Sequence, residues 1–127
     1  MRAIELLGTR DSAAFRAAIV PIRPEDVKVR PVPRRLQPIW PRGVGAMATP
    51  WGVYVRVDLL GGSPLALADL LRHELVHVRQ WKTHGPMGFV RRYLADYVRG
   101  RRRRLGHGGA YRAIALEVEA RHLAGDR

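Results

Sequence analysis

Two histidines four residues apart, His73 and His77, stand in the stretch LLRHELVHVRQW, residues 70–81, with Glu74 directly after the first. On a helix, residues i and i+4 leave from the same face, so both imidazoles can reach one tetrahedral ion. The glutamate beside them can reach a water on that ion. Metal-assisted hydrolysis needs this arrangement. One catalytic zinc ion would bring its water's pKa toward neutrality, and Glu74 would act as general base, taking the proton and returning it to the leaving group. A pair of core histidines is the plainer alternative.

A catalytic zinc takes three protein ligands and keeps one position open. The chain has no cysteine, so a third ligand must be His, Asp or Glu, and disulfides and thiol catalysis are excluded. The extended pattern HExxHxxGxxH would require glycine at 80 and histidine at 83, where Gln80 and Thr83 stand. His84 falls at the expected helix end, where a histidine interacts with the last carbonyls. Two carboxylates in LEVEARHL remain, Glu117 and Glu119. On a helical projection Glu117 lies within a stripe of Ala110, Ala113, Ile114, Ala120 and Ala124, while Glu119 falls near Arg112 and Ala115 on the far side. A carboxylate in an apolar stripe is costly unless something neutralises it. That favours Glu117, with Glu119 as the alternative ligand. An i,i+4 pair with Arg121 is the ordinary role open to Glu117.

Holding these groups in place requires helices, and the sequence punctuates them. Ser63 and Pro64 open one, and Gly85 and Pro86 close it, predicting a helix from about Pro64 to His84. Leu67, Leu71, Leu75 and Val78 form its core side, with His73 and His77 on the neighbouring side. A second helix is predicted from roughly Met87 to Val98, with Val90, Tyr93, Leu94, Tyr97 and Val98 at helical spacing as core. A third runs from about Ala110 to Ala124, closed by Gly125. In WGVYVRVDL, Val53, Val55 and Val57 alternate with Tyr54, Arg56 and Asp58, as in a half-buried strand. Seven of the nine prolines lie between Pro21 and Pro50, which predicts extended segments and turns there. Before them DSAAFRAAIV predicts a short helix capped by Asp11 or Ser12. The expected fold is α+β, one small domain over 1–127. A proline-rich arm or cover spans 1–48. The core, 49–127, holds a short edge strand or sheet, the HExxH helix, an aromatic linking helix and a C-terminal helix bearing the glutamate.

The succession HELVHVRQW, HGPMGFVRRYLADY and AYRAIALEVEAR, over residues 50 to about 124, resembles the compact gluzincin metallopeptidases of the minigluzincin-like families. There HExxH is followed by a Gln-aromatic pair, a glycine and aromatic helix, and a C-terminal helix carrying a ligand as ExxA. The resemblance implies a zinc metallopeptidase with His73, His77 and Glu117 as ligands, Glu117 to Ala120 matching ExxA, and Glu74 as base. It also implies a peptide or protein substrate pairing with the strand before the metal helix, here WGVYVRV. Tyr111 and His107 are the candidates for stabilising the oxyanion. Asp69 and Asp58 are the candidates for supporting the metal histidines.

The formal charge of +12 comes from 21 arginines and 2 lysines against 11 acids, and arginines crowd the stretch from Arg91 to Arg104. Such a surface is drawn to polyanions, although charge bears on association more than on fold. A rival reading follows: a basic nucleic-acid-binding or regulatory protein whose metal site is structural or relict. No apolar run reaches the roughly 18 residues of a membrane span, and Glu5, Arg10, Asp11 and Arg16 interrupt the start where a signal peptide would need an apolar stretch. The expected protein is soluble and cytoplasmic. Its proline-rich arm is placed to cover the cleft and hold the enzyme latent.

Overall fold

Proline fixes φ and lacks a donor, and the segment rich in it avoids long helix. It folds into short 3₁₀ helices at Pro24–Asp26 and Arg34–Ile39 and two strands, β1 (Val29–Pro31) and β2 (Ala46–Thr49). The computed structural model describes residues 1–41 and 43–125. The chain begins with α1 (Ala3–Leu7), which the sequence reading did not anticipate. In α2 (Ala13–Ala18) the cap is Ser12, whose Oγ accepts from the Phe15 N–H at 3.1 Å, whereas Asp11 pairs with Arg16 at 2.7 Å.

The third strand, β3 (Gly52–Val55), lies in the middle of the sheet. It pairs in parallel with β1, Val29 opposite Val53, and antiparallel with β2, Ala48 opposite Val53. WGVYVRV is therefore the central strand, not the edge expected of it, because both of its sides are spent on neighbours. The edge strands are β1 and β2, and β2 ends in a two-residue turn, Pro50–Trp51, between the paired Thr49 and Gly52. Val53 and Val55 are buried as alternation predicts. Val57 is not. The strand ends at Val55, and Val57 opens the short helix α3 (Val57–Leu60), where Asp58 pairs with Arg56 at 2.8 Å.

Across the sheet lies α4 (Pro64–Arg102), two helical halves meeting at Gly85. The break has φ 72° and ψ 163°, a conformation that glycine adopts without a Cβ clash. The first half buries Leu67, Leu71, Leu75, Val76 and Val78 against the sheet. The N-terminal segment expected to be an arm supplies part of this core, since Ala3, Leu7, Phe15, Ile19 and Val29 share the cluster.

The second half of α4 buries less than its spacing predicts. Phe89 is buried with Ile114 and Leu116, and Trp81, Tyr93 and Tyr97 pack against them. Val90, Leu94 and Val98 stay outside, 43%, 55% and 47% exposed. Only one side of this half meets the C-terminal helices. That side is drawn in at Gly100, where an added Cβ would lie 3.0 Å from the Ala110 Cα.

The expected third helix is two, α5 (His107–Arg112) and α6 (Ala115–Ala124), separated by an extended Ile114. Full burial of Ile114 pulls the chain inward, and the Asp96 carboxylate accepts from the Ala115 N–H at 3.1 Å, satisfying a donor at the new helix start. Gly125 closes α6 at φ 80°. No helix among the described residues is long and apolar enough to cross a membrane.

Leu71 and Leu94 are expected to part company on truncation. Leu71→Ala, in the closed core, should lower unfolding free energy by about 2–5 kcal/mol in denaturant titration. Leu94→Ala, on the outside, should change it by under about 0.5 kcal/mol. Equal losses would contradict this packing.

Candidate metal centre

The first half of α4 presents His73 and His77 one turn apart, ring centroids 4.9 Å from each other. α6 crosses it so that the Glu117 carboxylate faces both rings: His73 Nε2 is 3.1 Å from Oε2, and His77 Nε2 is 3.0 Å from Oε1. One ligand atom from each of the three residues lies within 4.8 Å of the others. The fold thus brings together the three residues that the sequence proposed, in a group able to hold a metal ion.

Glu117 is buried, 3% exposed, and stands in the first turn of α6. Burial opposes its charge, but hydrogen bonds from His73 and His77 and their positive potential hold its carboxyl well below the usual carboxylate range. The partial positive charge at the helix N-terminus acts in the same direction. The Tyr93 hydroxyl donates to Oε1 at 3.1 Å.

Glu119, the alternative ligand, points elsewhere. Its Oε1 accepts from the Gln80 amide at 3.0 Å, with Arg79 at 3.8 Å. Gln80 also donates to the Leu116 carbonyl at 2.9 Å, and both acceptors lie at its NH₂ end. Its Oε1 therefore faces His77 Nδ1 at 2.7 Å and accepts from it. This fixes the tautomer. With Nδ1–H directed at Gln80, the Nε2 of a neutral His77 turns a lone pair toward a carboxylate oxygen 3.0 Å away. Two acceptors hold that separation only with a cation between or beside them, either a ring proton or a metal. Burial works against a proton on His77, but the hydrogen bond and charge of Glu117 outweigh it and raise the ring's affinity. The donor set fits a divalent ion equally well.

Gln80 is thus the side chain that orients His77. The residues suggested for that role are occupied: Asp69 pairs with Arg10 at 2.9 Å and Asp58 with Arg56. In the sequence Gln80 stands at the glycine position of the extended pattern and in the Gln-aromatic pair, and neither shows that it reaches back to His77. Tyr93 was read as core, yet its ring stacks on Phe89 at 5.7 Å while its hydroxyl reaches the site.

Glu74 is buried beside the histidines. Burial pushes its carboxyl up, the histidines pull it down, and the Glu117 charge pushes it up again; the net direction is upward. The backbone N–H of Ala48 hydrogen-bonds to it, and the Ala48 carbonyl accepts from the Trp81 indole N–H at 3.0 Å. β2 and α4 are therefore tied together at one residue. A cleft of about 500 Å³, lined by β2, Trp81, Phe89, Tyr93 and Glu117, opens on one side of Glu74. A second of about 370 Å³, lined by His73, Asp69 and His107, opens on the other. Both include Val44, Ala46, Glu74 and Tyr111, so a groove runs along β2 past the site.

Of the two oxyanion candidates, Tyr111 lines both clefts and hydrogen-bonds with Glu117 and Tyr93. Burial, then the Glu117 charge, push its hydroxyl up to about 12, so it keeps its proton at neutral pH. His107 lines the second cleft, with Nδ1 2.8 Å from the Tyr97 hydroxyl.

A metal-stripped chain titrated with a divalent ion is expected to bind one equivalent. His73→Ala, His77→Ala and Glu117→Ala should abolish that binding, and Glu119→Ala should keep its stoichiometry. Gln80→Leu should weaken affinity by roughly 10–100-fold. Undiminished binding by Glu117→Ala would place the ligands elsewhere. No family model, curated protein or solved structure matches the chain, which leaves its own geometry as the ground for its function.

Proposed function

We propose that the protein is a zinc-dependent peptide hydrolase of gluzincin type, with His73, His77 and Glu117 as ligands and Glu74 as general base. One arrangement supports this above all: a His, His, Glu group with a buried second glutamate beside it, set in a groove whose wall is a sheet edge. Zinc, when bound, supplies a Lewis acid that polarises a carbonyl and lowers the pKa of water.

The remaining work belongs to the chain. β2 walls the groove in which an extended peptide would lie, with the outward N–H and carbonyl of Ala48 already taken by Glu74 and Trp81, and the apolar walls from Trp81 and Phe89 receive its side chains. Glu74 accepts the proton of the attacking water and delivers it to the departing amine. Tyr111, protonated and half-exposed at the groove, donates to the carbonyl oxygen as charge builds there. Gln80 keeps the His77 ring in one orientation and one tautomer.

Glu74→Gln is expected to retain bound zinc while cleavage of an unstructured peptide falls by roughly 10²–10⁴-fold. Tyr111→Phe should lower kcat by about 10²–10³-fold with little change in KM. Undiminished cleavage by Glu74→Gln, or no stoichiometric zinc in purified protein, would refute the proposal.

A further inference from the structure

The apolar residues that the second half of α4 leaves outside form a pattern. At 100° per residue, Met87, Val90, Leu94 and Val98 fall within an arc of about 80°, and they are 84%, 43%, 55% and 47% exposed. Arg91 and Arg102 border this stripe, and Arg101 continues it one turn beyond Val98. All three arginines are exposed. Arg91, Leu94, Ala95, Val98, Arg99 and Arg102 line one open surface. An apolar stripe edged with cations is expensive in water and matches an interface that is apolar below and anionic above.

We propose that this face of α4 docks on an anionic lipid bilayer. The helix would lie in the plane of the interface, Leu94 and Val98 sunk among the acyl chains. The arginines, whose stems can run along apolar surface while the guanidinium stays wet, would meet the phosphates. The chain's +12 charge adds attraction at longer range. A nucleic acid would engage the arginines but leave the stripe in water. A second copy of this chain would bring Arg91, Arg101 and Arg102 against their own counterparts, and like charges oppose that. Val90 belongs to both the stripe and the 500 Å³ cleft, so the docked face lies beside the groove.

Flotation of the full chain with vesicles tests this. Binding is expected to phosphatidylcholine vesicles containing a minority of phosphatidylserine and not to phosphatidylcholine alone. The triple variant Arg91→Gln, Arg101→Gln, Arg102→Gln should bind roughly a hundredfold more weakly. Leu94→Gln with Val98→Gln should bind roughly tenfold more weakly, with unaltered circular dichroism. Because the chain has no cysteine, Leu94→Cys carrying an environment-sensitive dye reports insertion independently, by a blue shift on adding anionic vesicles. No binding to anionic vesicles, or an unmoved dye, overturns the proposal. So does unchanged binding by the Leu94, Val98 variant, which would assign the arginines to polyanions in general, duplex DNA included. A dimer that this variant dissociates would assign the stripe to a second copy instead.

Discussion

A buried carboxylate between two imidazoles governs the arrangement of the C-terminal half. Glu117 carries a charge into a place that is 3% exposed, and a lone carboxylate there would cost several kcal/mol. Its two oxygens face His73 and His77, with Tyr93 donating from the side. Those partners come from both halves of α4, on either side of the Gly85 break. The crossing of α6 over α4, and the angle between the two halves, must together satisfy one charge. Asp96 adds to this by receiving the first N–H of α6, which sets where that helix begins and hence where its third residue points.

The same economy of contacts appears at the edge strand. Ala48 uses its N–H on Glu74 and its carbonyl on Trp81, so a short, four-residue strand is held to α4 at its outer side. Trp81 in turn stacks on Phe89 with ring centroids 4.0 Å apart, carrying the attachment across the break to the second half of α4. Gln80, next in sequence, ties His77 to the Leu116 carbonyl and to Glu119. The adjacent residues Gln80 and Trp81 thus hold the C-terminal helix on one side and the sheet on the other.

Local patterns read well where physics is local. Ser63, Pro64, Gly85 and Gly125 act within one or two residues, so the start of α4, its break and the end of α6 were legible, as was the core face from Leu67 to Val78; the second half of α4, expected to end near Val98, runs on to Arg102. The break at Ile114 was not. It depends on the pull of a core built by Phe89 and Leu116 and on an acceptor 19 residues away, Asp96. The order of the sheet was equally hidden, since alternation says that β3 is half-buried but not which strands flank it. Val90, Leu94 and Val98 carry a helical period that serves an inner or an outer face alike, and only the placement of α5 and α6 on one side decides between them.

The sequence by itself determined that His73 and His77 share a helical face with Glu74 beside them and that no cysteine can complete a site; it favoured Glu117 over Glu119 without deciding between them. Helical geometry and residue chemistry suffice for that. Tertiary structure alone decided that Glu117 and not Glu119 turns toward the histidines, that Gln80 orients His77, that β2 is the edge beside Glu74, and that an apolar stripe remains uncovered. Each of these depends on which elements meet. That is set by how the whole chain buries its apolar surface and neutralises its interior charges, a sum over contacts distant in sequence.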